Sequence, residues 1–135
     1  MKVSLVPFDH IDRVWDVVRP MLEPAVAVSN GRYTTYDLYV ALQQQRLHLW
    51  VAFDAEIVGC EVTQIFDYPS KRVLISLFTA GRMFRKWREP LLDILTRWAR
   101  DNGCAAIEGM GREQWVRLLE PYGVRRMSVN FEMEV

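Results

Sequence analysis

Hydrophobic and polar residues follow two different periods along the chain and predict ten elements in the order β-α-α-β-β-β-α-β-α-β. The clearest helix lies within residues 78–103, where apolar residues recur every three or four positions and share one face: Leu91, Leu92, Ile94, Leu95, Trp98 and Ala99. Pro90 suits the first turn of this helix, because its missing N–H leaves no hydrogen bond unmade there. Gly103 suits the left-handed residue that ends it.

The first part of the chain predicts a short strand at residues 2–8 followed by a helix. Asp9 is the expected cap of that helix. Its inward face would carry apolar residues at helical spacing: Ile11, Val14, Trp15, Val18 and Leu22. Pro20 is expected to kink or end the helix at the preceding residue, so residues 23–32 are predicted as a connector.

The middle of the chain predicts a second helix and three strands. Thr34 is expected to cap the helix, with Asp37 at its third position. Residues 47–53 and 57–66 are rich in β-branched and aromatic residues and predict an antiparallel hairpin. Residues 73–79 are almost wholly apolar, which is typical of a central strand buried on both faces.

The last part of the chain predicts a strand at residues 104–108, a helix at 112–120 and a final strand at 124–135. The final strand shows the clearest alternation, in which single polar residues separate apolar ones: Met127, Val129, Phe131, Met133 and Val135. One face of this strand is therefore predicted to be buried and the other to be exposed to solvent. A mixed sheet with helices on its faces, an α/β architecture, would bury all of these stripes.

Composition narrows the class of protein. A length of 135 residues fits one domain spanning 1–135. Zero net charge, from 17 basic and 17 acidic residues, argues against a general binder of nucleic acid or membranes. We expect no signal peptide or transmembrane helix, because no apolar run approaches ~18 residues. Cys60 and Cys104 are expected to be reduced core residues of a cytoplasmic protein, and the two histidines lack the spacing of a zinc site.

Four cations precede the central helix: Arg82, Arg85, Lys86 and Arg88. A helix N-terminus presents free N–H groups and a partial positive charge, so a loop at this place can hold a phosphate. A solvated basic loop is the alternative. With Phe84 and Trp87 interleaved, the stretch also has the composition of a nucleic-acid surface, but zero net charge argues against that function.

The element order and two local stretches resemble the GNAT superfamily, the Gcn5-related N-acetyltransferases. The run LLDILTRWARDNGC at 91–104 is similar to the family's central helix and its exit, and LLEPYGV at 118–124 to its late helix, glycine and final strand. The resemblance implies a mixed sheet of 6–7 strands with helices on both faces. It also implies acyl-CoA in a gap between the fourth and fifth strands, with its pantetheine along Phe78, Thr79 and Ala80.

The loop before the central helix departs from the family pattern. The family usually carries Arg/Gln-x-x-Gly-x-Gly/Ala there, because glycines let pyrophosphate reach the backbone N–H groups. Here Phe84, Lys86 and Arg88 stand near the expected glycine positions. Either side chains of this loop bind the phosphates directly or the coenzyme site has been lost. The candidate coenzyme-binding residues of the loop are Arg82, Arg85, Lys86, Trp87 and Arg88.

Candidate catalytic residues are few. Transfer to an amine needs a base for the amine and often an acid for the departing thiolate. Glu61 lies mid-strand beside the expected gap and fits either a base or an exposed strand carboxylate. Many family members carry a tyrosine where this chain has Leu119, so Tyr122 is the remaining catalytic candidate, with packing as its alternative role. Ser76 and Thr79 fit substrate positioning or a structural role.

A second resemblance, to small GNAT-like proteins encoded by tailed bacteriophages, is carried by Gly81-Arg82, Trp87, Trp98-Ala99, Gly103-Cys104, Ile107-Glu108, Gly111-Arg112 and Trp115. Together the two resemblances imply a diverged GNAT-fold protein of the host cytoplasm or virion, non-catalytic or weakly active. Such a protein needs no cofactor and has a binding or structural role, with a protein partner or a second copy of the chain. The alternative is an acetyl-CoA-dependent N-acetyltransferase that acts on a small amine or a protein amino group.

Overall fold

Five strands form one sheet, in which neighbours along the chain are also neighbours in space: β1 Lys2–Val6, β2 His48–Phe53, β3 Ile57–Tyr68, β4 Lys71–Gly81 and β5 Ala106–Gly109. The computed structural model describes all 135 residues. Strands β1 to β4 pair antiparallel, and β5 pairs with β4 in parallel. The hairpin predicted in the middle of the chain is confirmed as β2 and β3, whereas the predicted total of 6–7 strands is wrong.

Four helices cover the two faces of the sheet: α1 Ile11–Ala27, α2 Thr35–Gln43, α3 Phe84–Asp101 and α4 Glu113–Leu119. Alternate residues of β2 point to opposite faces. Leu49 and Val51 therefore pack with α1 and α2, whereas Trp50 and Ala52 pack with α3. The layered α/β architecture and the order of the first nine predicted elements are confirmed.

Helix α1 continues through two prolines, so the predicted break at Pro20 is wrong, and part of the predicted connector is helical. Pro20 and Pro24 both lie on the exposed side of the helix. The carbonyls left without an N–H partner belong to Asp16 and Pro20, which are exposed, so water can satisfy them. Asp9 does not cap α1 either, because it lies inside a 3-10 turn, Phe8–His10, that leads directly into the helix.

The start of α2 follows the prediction closely. The side chain of Thr34 accepts a hydrogen bond from the backbone N–H of Asp37, at 3.1 Å. The carboxylate of Asp37 accepts one in return from the backbone N–H of Thr34, at 2.8 Å. These two bonds form a complete capping box.

Helix α3 begins at Phe84, so the predicted cationic loop is largely helical and Pro90 lies inside the helix. Met83 adopts a left-handed conformation with φ +62° and turns the chain from β4 directly into the helix. Pro90 removes the N–H that would bond the carbonyl of Lys86, an exposed residue. The predicted end of the helix is confirmed, because Gly103 has φ +76° directly after the terminal turn.

Residues 124–135 form no strand, so the predicted final strand is wrong. Alternation tells which side chains would share a face, but a strand also needs a neighbouring backbone to pair with. The segment is held instead by polar contacts. Asn130 donates to the sulfur of Met110 at 2.6 Å, and Glu132 accepts hydrogen bonds from Asn30 and Arg32.

Both cysteines are buried free thiols, as predicted. No helix has the length and apolar character needed to cross a bilayer.

Candidate functional site

Strands β4 and β5 separate at one end. They pair over four residues each and part after Ser76, which lies beside Gly109 at the end of β5. Beyond this point residues 78–81 of β4 pair with β3 on one side and with no strand on the other. We call this opening the β4–β5 fork. It contains the three residues predicted to pair with pantetheine: Phe78, Thr79 and Ala80.

A bulge in β4 directs two hydroxyl groups to one carboxylate beside the fork. The ladder between β3 and β4 skips Leu77. Ser76 and Thr79 therefore lie on the same face of the sheet, and both donate hydrogen bonds to the carboxylate of Glu61. The bond from Thr79 Oγ1 to Glu61 Oε2 is 2.5 Å long. The structure thus brings together three of the residues that the sequence singled out.

Glu61 is buried, with only 1% of its surface exposed, so the prediction of an exposed strand carboxylate is wrong. Burial raises the pKa of Glu61 to about 7, although the hydrogen bonds from Ser76 and Thr79 act in the opposite direction. No cation forms an ion pair with it among the salt bridges of the chain. A carboxyl group with a pKa near neutrality is suited to exchange protons at physiological pH.

A second polar cluster lies next to Glu61 on the face covered by α3. Thr63 Oγ1 accepts a hydrogen bond from Trp50 Nε1 at 2.9 Å and lies 3.1 Å from His48 Nδ1. Burial lowers the pKa of His48, so its neutral form is favoured. The ring of Trp98 packs edge-on against both His48 and Trp50. Sequence reasoning did not identify this cluster.

The turn from β4 into α3 consists of residues 82 and 83 and is closed by internal contacts. Trp87 is buried, and its Nε1 donates to the carbonyl of Arg82 at 2.8 Å. The N–H of Arg82 donates to the carbonyl of Val58 at 2.9 Å. The indole of Trp87 lies so close to Gly59 that an added Cβ would come within 2.4 Å of the ring. Trp87, one of the candidate coenzyme-binding residues, is therefore packed between the start of α3 and β3 and is not exposed beside the turn.

Two of the four predicted cations are engaged within the protein. Arg82 forms an ion pair with Glu56 at 2.5 Å. Arg88 donates to the carbonyl of Leu118 at 2.9 Å, and its guanidinium lies 5.3 Å from the centre of the Tyr122 ring. The other two, Arg85 and Lys86, are exposed on the first turn of α3.

Helix α4 packs over the start of α3. The ring of Phe84 contacts the rings of Trp87 and Trp115 edge-on, with centroids 4.8 Å and 5.1 Å away. Tyr122 packs against Arg88, and no hydrogen bond joins it to Glu61, Ser76 or Thr79. The two predicted catalytic residues, Glu61 and Tyr122, therefore do not share a hydrogen-bonded site.

Two surface depressions lie away from Glu61. One of about 490 Å³ lies between β1 and α3, and one of about 300 Å³ lies between α1 and α2. No group of three or more His, Cys, Asp or Glu side chains is placed to hold a metal ion.

Solved structures with the same fold include several acetyltransferases. A probable acetyltransferase superposes with a TM-score of 0.75 at 15% identity, covering 100% of this chain and 98% of that chain. Aminoglycoside acetyltransferase HMB0005 from an uncultured soil metagenomic sample gives 0.74 at 15% identity, covering 99% and 97%. Ribosomal-protein-alanine N-acetyltransferase from Brucella melitensis biovar Abortus 2308 gives 0.71 at 12% identity, covering 100% of both chains. Neither the family models nor the curated proteins yield a match.

These likenesses show the fold. The chain shares the mixed, GNAT-like α/β fold of these acetyltransferases, with five strands and four helices. At 12–15% identity the superpositions assign no role to any residue of this chain.

Proposed function

We propose that this chain uses the GNAT-like fold as a binding scaffold and that coenzyme-dependent acetyl transfer is absent or weak. The observation that carries the proposal is the closed turn between β4 and α3. A diphosphate seated on main-chain N–H groups needs bare backbone and free donors. Here the N–H of Arg82 already bonds to Val58, that of Lys86 bonds to Met83 at 2.8 Å, and Trp87 fills the space beneath the turn. The N–H groups of Met83, Phe84 and Arg85 have no backbone partner, but these residues carry side chains where the family pattern has small residues, so the turn fits a pyrophosphate held by backbone groups poorly.

The side chains around the turn support the same conclusion. Phe84 is held between Trp87 and Trp115, close to where the family pattern places a glycine. Arg88, a candidate phosphate ligand, binds the carbonyl of Leu118 instead. Groups that would have to contact a coenzyme thus hold α4 against α3.

The binding role extends to a protein partner or a second copy of the chain. The resemblance to small phage-encoded proteins suggests a virion or a host protein as the setting. Exposed apolar side chains are the usual anchors of such contacts. They are concentrated in residues 127–135 and include Phe131.

Isothermal titration calorimetry with acetyl-CoA and with CoA tests the proposal. We expect no binding heat at high micromolar concentrations of ligand, because the closed turn provides no suitable binding site for the diphosphate. Arg85→Ala combined with Lys86→Ala removes the two exposed cations of the turn, and Arg100→Ala, at the far end of α3, is the matched control. Micromolar binding that the double variant weakens and Arg100→Ala leaves intact would overturn the proposal.

Acetyl transfer to an amine is the second candidate function, and the environment of Glu61 favours it. Because the pKa of Glu61 is about 7, its carboxylate is available to accept the proton of an attacking amine, relayed through the hydroxyl of Ser76 or Thr79. Acetyl-CoA would supply the acetyl group: the amine nitrogen would bond to the thioester carbonyl carbon, the C–S bond would break, and the CoA thiolate would leave and take up a proton. An amine panel assayed with acetyl-CoA tests this function. Product that increases as the pH rises through about 7 and is lost in Glu61→Gln would support transfer over the scaffold role.

A further inference from the structure

Residues 127–135, which we call the C-terminal segment, have the pattern of a strand but no sheet partner. Their five apolar side chains alternate with polar ones, and all five are exposed. Phe131 is 96% exposed and Met133 is 82% exposed. A long, exposed row of alternating apolar residues is a ready template for pairing with another chain.

The sheet has a free edge next to this segment. Strand β5 pairs with β4 on one side only, so the backbone groups along its other side have no strand partner. The C-terminal segment passes the end of this edge, because Asn130 contacts Met110, the residue that follows β5. An ion pair of 3.6 Å between Arg126 and Glu113 holds the start of the segment near the start of α4.

We propose that the C-terminal segment is a dimerisation strand, which adds to the free edge of β5 and pairs antiparallel with the same segment of a second copy. Strand β5 offers only four residues, so it cannot by itself pair a segment of nine. The remaining residues, and the whole outer side of the segment, need a second strand. A second copy supplies it through a two-fold axis, in which the same surface meets itself.

Length and charge together favour one register of this pair, because only a pair centred on Phe131 matches all nine residues of the segment with one another. With Phe131 on the two-fold axis, Met127 lies opposite Val135 and Val129 opposite Met133, so apolar side chains share one face. On the other face each glutamate meets a neutral residue: Glu132 opposite Asn130 and Glu134 opposite Ser128. Centring the pair on residue 132 or 133 would set glutamates against each other, which is destabilising.

The surface area that this pairing would bury is in the range of a stable dimer. An aromatic side chain buries about 150–250 Å², and an aliphatic side chain buries less. Five apolar side chains from each copy, together with the surfaces that receive them, therefore reach the range of a standard interface of about 1,600 Å². The inference rests on the binding role proposed above and identifies the partner as a second copy of the chain. Its test is separate from the coenzyme titration, because a scaffold and a transferase would dimerise in the same way.

Light scattering coupled to size-exclusion chromatography gives the first test. We expect the full chain to be a dimer and a chain ending at Arg126 to be a folded monomer, since the truncation removes no helix or strand. Phe131→Asp keeps the length of the chain and should also give a monomer, because it places two carboxylates on the axis. Circular dichroism and urea unfolding establish that both variants are folded. A monomeric full chain, or a dimeric truncated chain, would overturn the proposal.

Cross-linking tests the register independently. Phe131→Cys places two thiols opposite each other across the axis, where Cα atoms about 4.5–5.5 Å apart permit a disulfide. The native thiols, Cys60 and Cys104, are buried and should not compete. Met127→Cys is the matched control, because the two introduced thiols would lie about 27 Å apart along the strands. We expect a covalent dimer with Phe131→Cys only, and equal cross-linking of both variants would refute the register and with it the proposal.

Discussion

Ser76 and Thr79 are three residues apart in β4 and lie on the same face of the sheet, where both donate hydrogen bonds to Glu61. In a regular strand an odd spacing would direct them to opposite faces. The extra residue in the bulge, Leu77, restores them to one face. Glu61 is thereby buried with two hydroxyl donors and no cation, so protonation of this one group affects the stability of the fold.

Glu61→Gln should flatten the dependence of stability on pH. The pKa of Glu61 is about 7 in the folded protein and 4.5 in the reference state, so the folded state holds the proton more tightly. Its contribution is full below pH 4.5 and is lost as the pH rises to about 7. The loss amounts to about 3 kcal/mol of unfolding free energy. Urea unfolding of both proteins across this interval measures it.

Glu134→Gln serves as the control for this experiment, because Glu134 is exposed in the C-terminal segment. Its pH profile should follow that of the wild type. Parallel profiles for the wild type and Glu61→Gln would show that the buried carboxyl does not govern stability in this range.

Gly59→Ala should destabilise the fold by about 1–3 kcal/mol through overpacking. The added Cβ would come within 2.4 Å of the Trp87 ring, which is buried and tied to the carbonyl of Arg82. Gly109→Ala is the matched strand control, since the nearest atoms to its Cβ lie at 3.6 Å. Chemical denaturation compares the two, and similar losses in both variants would contradict the tight contact between Gly59 and Trp87.

Arg88→Ala should loosen α4 while leaving α3 in place. The guanidinium of Arg88 donates to the carbonyl of Leu118 and lies over the ring of Tyr122, so it joins the two helices. Hydrogen exchange should become faster over Glu113–Leu119, and global stability should fall by about 1–2 kcal/mol. Arg85→Ala is the control, because Arg85 is exposed on the first turn of α3. It should change neither the exchange rate of α4 nor the global stability. Unchanged exchange in α4 would show that aromatic packing alone holds it.

Thr34→Ala should cost about 1 kcal/mol of stability, because it removes the hydroxyl that accepts the N–H of Asp37. Thr34→Ser keeps that acceptor and should retain most of the stability. Thermal unfolding of the two variants separates the lost hydrogen bond from the lost methyl group. Equal losses would point to packing of the methyl group instead.

Short-range signals predicted the parts of the fold that depend on neighbours in sequence. The capping box at Thr34 needs only four consecutive residues, and the hairpin of β2 and β3 needs only a turn between two apolar runs. Residues 124–135 show the limit of this information. Their alternation is a property of the segment, whereas strand formation depends on a partner backbone, and β5 supplies only four residues.

The candidate site depends on contacts over longer distances. The residues that donate to Glu61 are 15 and 18 positions away in sequence, and they converge only because a bulge shifts the register of β4. No local pattern reveals a bulge among apolar residues, so Glu61 could be placed beside the fork without its burial being known. The cluster of His48, Trp50 and Thr63 could have been predicted more easily from the sequence, because the register of the predicted hairpin brings these positions together.

The two prolines of α1 have a mechanical consequence. Each removes one rung of the hydrogen-bond ladder, and both rungs lie on the side facing water. The hydrogen bonds on the buried side of the helix are all kept. The helix can therefore bend more easily with its exposed side convex than in the opposite sense. It can arch over the twisted sheet beneath it while the residues pressed against that sheet stay in register.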